Sequence, residues 1–166
     1  MSFFRPAVAA ALISLAACGF RPLHAPGARA EPEVLAGIEI AHIPDRLGQV
    51  VRNHLLDRLT PRGAPAAATY RLAVSLRTSK EPLAIARDDT ATRFNVSVEA
   101  DYDLSLISTG ETVLQGGARS VAAYDVVSSG YANTVAERDA ELRAAREISD
   151  ELKTRVAVFL ARGGRS

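Results

Sequence analysis

Tryptophan is absent from this 166-residue chain, methionine and cysteine occur once each, and two lysines stand beside eighteen arginines. A single thiol supplies neither a disulfide framework nor a CxxC zinc site nor an iron–sulfur cluster. Twenty basic against nineteen acidic side chains leave a formal charge of +1, so no chain-wide field advertises a nucleic-acid partner and any polyanion site must be local. The three histidines, His24, His42 and His54, form no metal spacing such as HExxH, and no GxSxG, Walker or GxGxxG pattern occurs. No metal and no cofactor are expected. What is present, 48% hydrophobic and 23% charged residues with 11 glycines and 8 prolines, is the composition of one ordinary domain folded around one core. The excess of arginine over lysine, with abundant alanine, reads mainly as nucleotide-composition bias.

Residues 1–17, MSFFRPAVAAALISLAA, carry one cation at Arg5 and then an uncharged run that ends in small residues, the layout of a signal peptide. This eleven-residue uncharged run falls short of the roughly 20 apolar residues that a spanning helix requires. The run ends in Leu15-Ala16-Ala17-Cys18-Gly19, which matches the lipobox of bacterial lipoproteins, so Cys18 is expected to become the lipidated first residue after cleavage. By the rules of those lipoproteins, glycine after the cysteine implies sorting to the outer membrane. A diacylated, N-acylated cysteine buries several chains at ~0.8 kcal/mol per CH₂, which makes such an anchor effectively stable. Cleavage removes Arg5 and leaves 19 basic against 19 acidic side chains.

Residues 18–36, with three of the eight prolines, read as a lipidated tether. A single domain is expected over 37–162 and a flexible tail over 163–166. Strict alternation over 37–43 predicts a short strand with Ile38, Ile40 and His42 on one side and Glu39, Ala41 and Ile43 on the other. Pro44-Asp45 supplies a break and a side-chain cap, and Leu47, Val51, Leu55 and Leu59 then predict a helix over about 46–59. Tyr70, Leu72, Val74 and Leu76 share one face of a second strand. Residues 78–92, with Pro82 and the pair Asp88-Asp89, read as a strand extension or a loop. The clearest strand follows, with Phe94, Val96, Val98, Ala100, Tyr102, Leu104 and Leu106 alternating against polar residues. Residues 112–124 are expected to return antiparallel, with a bulge or kink at Gly116-Gly117. A helix over about 133–160, about 42 Å long, puts Val135, Leu142, Ala145, Ile148, Leu152, Val156 and Phe159 on one face. Opposite-sign pairs at Asp139/Arg143, Arg143/Glu147, Arg146/Asp150 and Glu151/Arg155 mark its other face as solvated. The order β-α-β-β-β-α with one-sided elements predicts an α+β two-layer sandwich: a mixed or antiparallel sheet of about four strands with two helices packed on one face.

No catalytic constellation emerges. Glu99, Asp101 and Asp103 share a wet strand face, which reads as solvated surface or as a strip facing a partner or a cation; no base, nucleophile or oxyanion donor accompanies them, so a hydrolase is disfavoured.

Four stretches together resemble the lipopolysaccharide-assembly lipoprotein family LptE, particularly its shorter, arginine-rich alphaproteobacterial members. They are Cys18-Gly19-Phe20-Arg21-Pro22-Leu23; Ile43-Pro44-Asp45-Arg46-Leu47-Gly48-Gln49 leading into Arg52-Asn53-His54-Leu55; Ala91-Thr92-Arg93-Phe94; and Ala123-Tyr124-Asp125-Val126-Val127 leading into the last helix. The resemblance implies a non-enzymatic outer-membrane lipoprotein that plugs the β-barrel LptD, likewise assists its assembly, and helps deliver lipopolysaccharide to the outer leaflet. It also implies basic contacts to the anionic lipid near a strand connection. Here the comparable group is Arg77, Lys80 and Arg87, with Arg93 beyond it, since arginine suits phosphate bidentately. Glu81, Asp88 and Asp89 interrupt this group, which reads equally as a solvated or barrel-facing loop; Leu83 and Ile85 beside it suit an acyl chain, the barrel wall or the domain's own sheet. The competing expectation is a lipid- or glycan-binding carrier lipoprotein with no barrel partner.

Overall fold

The computed structural model describes residues 37–60, 63, 67–85 and 91–164. Cys18, Arg87 and the tether lie outside the described residues. The described chain runs β1 (Ile38–Ile40), α1 (Asp45–Leu59), β2 (Tyr70–Ile85), β3 (Ala91–Leu106), β4 (Thr112–Asp125) and α2 (Gly130–Ala161). The strands form one sheet in the order β1-β2-β3-β4. β1 lies parallel to β2, the connection that a crossover helix makes possible, and the other pairings are antiparallel. This is the expected two-layer α+β sandwich with its four-stranded mixed sheet.

Period-two patterning makes one sheet face apolar, and both helices cover it. Leu72, Val74, Val96, Val98, Ala100, Tyr102 and Leu104 point inward from β2 and β3 and meet Val51, Leu55 and Leu59 of α1 and Ile148, Leu152 and Val156 of α2. Complete burial of a leucine at such a position contributes roughly 1.5–3 kcal/mol. Ala140, Ala144 and Ala145 are fully buried too, which lets α2 come close to its neighbours.

Several boundaries differ from the sequence expectation. β1 stops at Ile40, so alternation ends there: Ile43 is buried and His42 is exposed, the reverse of the predicted sides. Ile43 packs on Gly48, where a Cβ would lie 2.8 Å from both its Cγ2 and its carbonyl oxygen. A glycine inside a helix costs about 1 kcal/mol relative to alanine, and here the close approach requires it. Asp45 makes no cap: Pro44 occupies the N-cap position with no side-chain hydrogen bond, and Asp45 is the first helical residue at φ 68°, a conformation aspartate tolerates better than most residues. The segment after Arg77 is a strand extension, carrying β2 through Pro82 to Ile85.

Gly116-Gly117 forms no bulge. The register shift in the β3–β4 ladder falls at Leu104/Ser105, while Gly116 makes room for the Tyr102 ring, whose hydroxyl would stand 2.8 Å from an added Cβ. α2 begins at Gly130, with Ser129 Oγ accepting from the Ala132 N–H at 3.4 Å. Val135 does not join the buried face; it is exposed and Leu142 is half-buried. Seven residues back from a side chain already on the flank of the stripe, Val135 remains 46% exposed. Gly163 and Gly164 close the helix, in left-handed conformations, through bonds to the carbonyls of Leu160 and Phe159 at 3.0 and 3.2 Å.

Candidate functional site

The odd-numbered residues of β2 and β3 build the sheet face that no helix covers. Register aligns Arg77 with Glu99 and Glu99 with Arg119, a positive–negative–positive row across three strands. Arg77 bridges Asp101 at 2.9 Å and Glu99 at 3.8 Å; Arg119 reaches Glu99 at 3.6 Å and donates to Ser97 Oγ at 2.9 Å. Towards β1, Arg71 pairs with Glu39 at 3.3 Å. Below this row, Ala73, Ser75 and Gly117 present little side chain, and a depression of about 610 Å³ opens beside Asp101 and Asp103. The face is therefore hydrophilic, close to self-neutralised and shallow. Each pair is solvated, with Arg77 69% exposed, so each contributes only about 0–1 kcal/mol and exchanges partners at little cost.

The expected basic group is not assembled as one patch. Arg77 and Arg93 share the uncovered face but are separated along the strands by roughly 20 Å, six residues of rise. Arg93 pairs with Asp125 at 3.7 Å. Lys80 lies on the helix side. Its Nζ donates to Glu137 Oε2 of α2 at 2.6 Å and stands 4.8 Å above the Phe94 ring and 5.6 Å from that of Tyr124. Tyr124 donates to the same carboxylate oxygen at 3.0 Å. Hydrogen bonding to Glu137, then to Tyr124, raises the Lys80 pKa above the ordinary lysine value, and the bond from Lys80 is the main cause that lowers that of Glu137. Leu83 is 56% exposed.

The charged side of α2 is less solvated than its spacing implies. Asp139/Arg143 and Glu151/Arg155 pair as expected. Glu147 instead accepts from Ser120 of β4, and Asp150 takes Arg58 of α1, because tertiary partners stand closer than the next turn of the helix. Glu141 similarly pairs with Arg46. Two arginines reach the outer edge of β4: Arg143 donates to the Ala123 carbonyl at 2.9 Å and Arg155 to that of Gly117 at 2.7 Å. The contacts to Ser120, Arg58, Arg46, Ala123 and Gly117 have no local sequence signal, since each joins residues far apart in the chain.

Glu99 and Asp101 are engaged by arginines, His42 accepts from Gln49 at 3.1 Å, and His54 accepts from Arg58 at 3.2 Å. Among the described residues no group of three or more His, Cys, Asp or Glu is placed to hold a metal ion, and no helix is long and apolar enough to cross a membrane.

The two-layer fold described above is shared by solved structures of bacterial lipoproteins. A crystal structure of a Caulobacter crescentus protein classed as a lipoprotein superposes with a TM-score of 0.65 at 26% identity, covering 78% of this chain and 95% of that one. The rare lipoprotein B of Shewanella oneidensis (TM-score 0.56, 9% identity, 72% and 92% covered) and a minor lipoprotein of Acinetobacter baumannii (0.57, 11%, 70% and 87%) share the fold. The chain belongs to the lipopolysaccharide-assembly family LptE, whose profile matches residues 35–156. No curated protein sequence matches it.

Proposed function

We propose that this member of the lipopolysaccharide-assembly family is an outer-membrane lipoprotein, anchored through Cys18 on the periplasmic side, that plugs an LptD-type β-barrel one to one. In that position it assists the barrel's assembly and helps pass lipopolysaccharide to the outer leaflet, acting by shape and hydrogen bonding without catalysis. The observation that carries this reading is the uncovered sheet face, which is polar and shallow and where Arg77 and Arg119 are balanced by Glu99 and Asp101. A barrel lumen is polar, and a plug must exchange hydrogen bonds with it over a wide area without a large net field of either sign. Arg77, Lys80, Arg87 and Arg93 are the cations proposed to meet the anionic lipid. For Arg77 the swap from Asp101 to a phosphate replaces one solvated pair by another, bidentate one. Depletion tests the reading: without this protein the barrel should fail to mature and surface lipopolysaccharide should fall, and normal export would overturn it. The depression beside Asp101 and Asp103 favours a second reading, a carrier that holds a glycan there; a saturable glycan site on the protein alone, with no barrel partner, would establish it.

A further inference from the structure

β2 has sixteen residues and β1 three, and β1 pairs only with Tyr70, Arg71 and Leu72. Beyond Leu72, β2 is therefore the edge of the sheet among the described residues. Three bonds fix which backbone groups face that edge. The Ile107 N–H donates to the Thr69 carbonyl at 3.0 Å, which puts odd-numbered residues of β2 in the ladder with β3; the Tyr70 N–H donates to Gly37 at 3.1 Å and the Leu72 carbonyl accepts from Ala41 at 2.9 Å, which puts even-numbered ones on the β1 side. Val74, Leu76, Thr78 and Lys80 accordingly turn N–H and C=O outward, with no backbone partner among the described residues. Pro82, at the next such position, has no N–H to offer and so ends the row, while the β2–β3 ladder loses nothing by it.

The opposite edge is treated differently. The Leu106 N–H bonds to Glu111 and the Val126 N–H to Thr92, so even-numbered residues of β4 face β3 and odd-numbered ones face outward. Two of those outward carbonyls, Gly117 and Ala123, are occupied by Arg155 and Arg143 of α2. Natural sheets blunt long edges because bare ones recruit other strands. Here one edge is partly filled by arginines, and the other, among the described residues, keeps a bare window that starts where β1 stops and ends at Pro82.

We propose that an extended segment of the barrel partner adds to β2 along Val74 to Lys80 as a fifth strand, main chain to main chain. The inference rests on the barrel-partner reading above. A closed barrel wall has no free edge of its own, so the added strand comes from a loop or terminal segment that enters the lumen. Side chains flanking the window state its chemistry. The half-buried Leu76 on the helix side asks for an apolar neighbour, and Arg77, 69% exposed between Ser75 and Ser79, asks for an acidic or hydroxyl one.

The test compares amide hydrogen exchange in the purified complex and in the free full-length protein. The amides of Leu76, Thr78 and Lys80 should slow at least tenfold on complex formation, while those of Ser75, Arg77 and Ser79, already in the ladder, change little. Thr78→Pro removes an outward N–H and should cut barrel recovery at least tenfold, and Thr78→Val, which keeps the backbone, should recover it fully; if Thr78→Pro does not fold, exchange in the wild-type complex decides. Unchanged exchange at the three even positions in a complex that does form overturns the edge proposal and leaves the plug standing. A wild-type protein that recovers no barrel overturns both. Slow edge amides in a free protein that runs as a dimer assign the window to a second copy and overturn the proposal as stated.

Discussion

Replacing Gly48 by alanine in an ordinary solvated helix should stabilise it by about 1 kcal/mol, and in this protein it should do the reverse. An added Cβ would stand 2.8 Å from the Ile43 carbonyl oxygen and 2.8 Å from its Cγ2. Real Cβ atoms essentially never come so close, and the contact cannot be relieved by swinging a side chain, because one of the two atoms is backbone and Ile43 is fully buried. Overpacking of this kind costs typically 1–3 kcal/mol, so after the propensity gain of about 1 kcal/mol the net loss is about 0–2 kcal/mol. For a domain of this size that lowers Tm by up to roughly 8 °C. Gly117→Ala is the control: its Cβ would meet Asp101 Oδ1 at 3.5 Å, an ordinary contact, and stability should hold or rise slightly. Thermal unfolding of the soluble domain followed by circular dichroism reads both. A Gly48→Ala protein more stable than wild type by the ~1 kcal/mol of an ordinary helix would refute the close packing of the β1–α1 connection.

Leu152→Ala, deleting a fully buried side chain at the centre of α2, should cost about 2–5 kcal/mol in chemical denaturation; a loss under 1 kcal/mol would mean that α2 does not pack as described. The Lys80–Glu137 bridge gives a pH signature. Glu137 titrates below its ordinary value when folded, so its contribution is present above about pH 4.3 and is lost as pH falls; Lys80 titrates above its ordinary value, so its contribution is present below about pH 10.4 and is lost as pH rises. The pair is 36–40% exposed, which holds the effect under about 1 kcal/mol. Glu137→Gln should flatten both limbs in stability measured against pH, and an unchanged profile would rule the bridge out. Cys18→Ala should release the protein from the membrane fraction while the domain keeps its wild-type Tm, and mutant protein that remained fully anchored would contradict the lipobox reading.

The two-layer fold was legible because strand and helix periods were clean: period two in 93–106 marks the inner face residue by residue, and the sheet covers it with helices as one-sidedness requires. A local pattern misleads where it runs past the end of its element. Alternation continues through His42 although β1 stops at Ile40, and the heptad step continues back to Val135, which stays exposed. The glycine pair in β4 signalled a bulge in sequence terms, but its first member answers to the Tyr102 ring across the ladder, a contact that only register reveals. The same holds for the candidate site. Residue types and parity indicate a wet face bearing Arg77, Glu99 and Asp101. Once β2 extends past Arg77, parity carries Lys80 to the helix side with Leu76, but it does not say that Lys80 meets Glu137 or that β1 is too short to cover β2. Edges and long-range pairs depend on where distant strands end, which no local period encodes.

The central claim, that this lipoprotein works as the plug of an export barrel, is tested most directly by isolating the tagged protein from mildly solubilised outer membranes and measuring what co-elutes by mass spectrometry. The account predicts a large LptD-type β-barrel in one-to-one amount. The protein eluting alone, from membranes in which that barrel is present and intact, would contradict it.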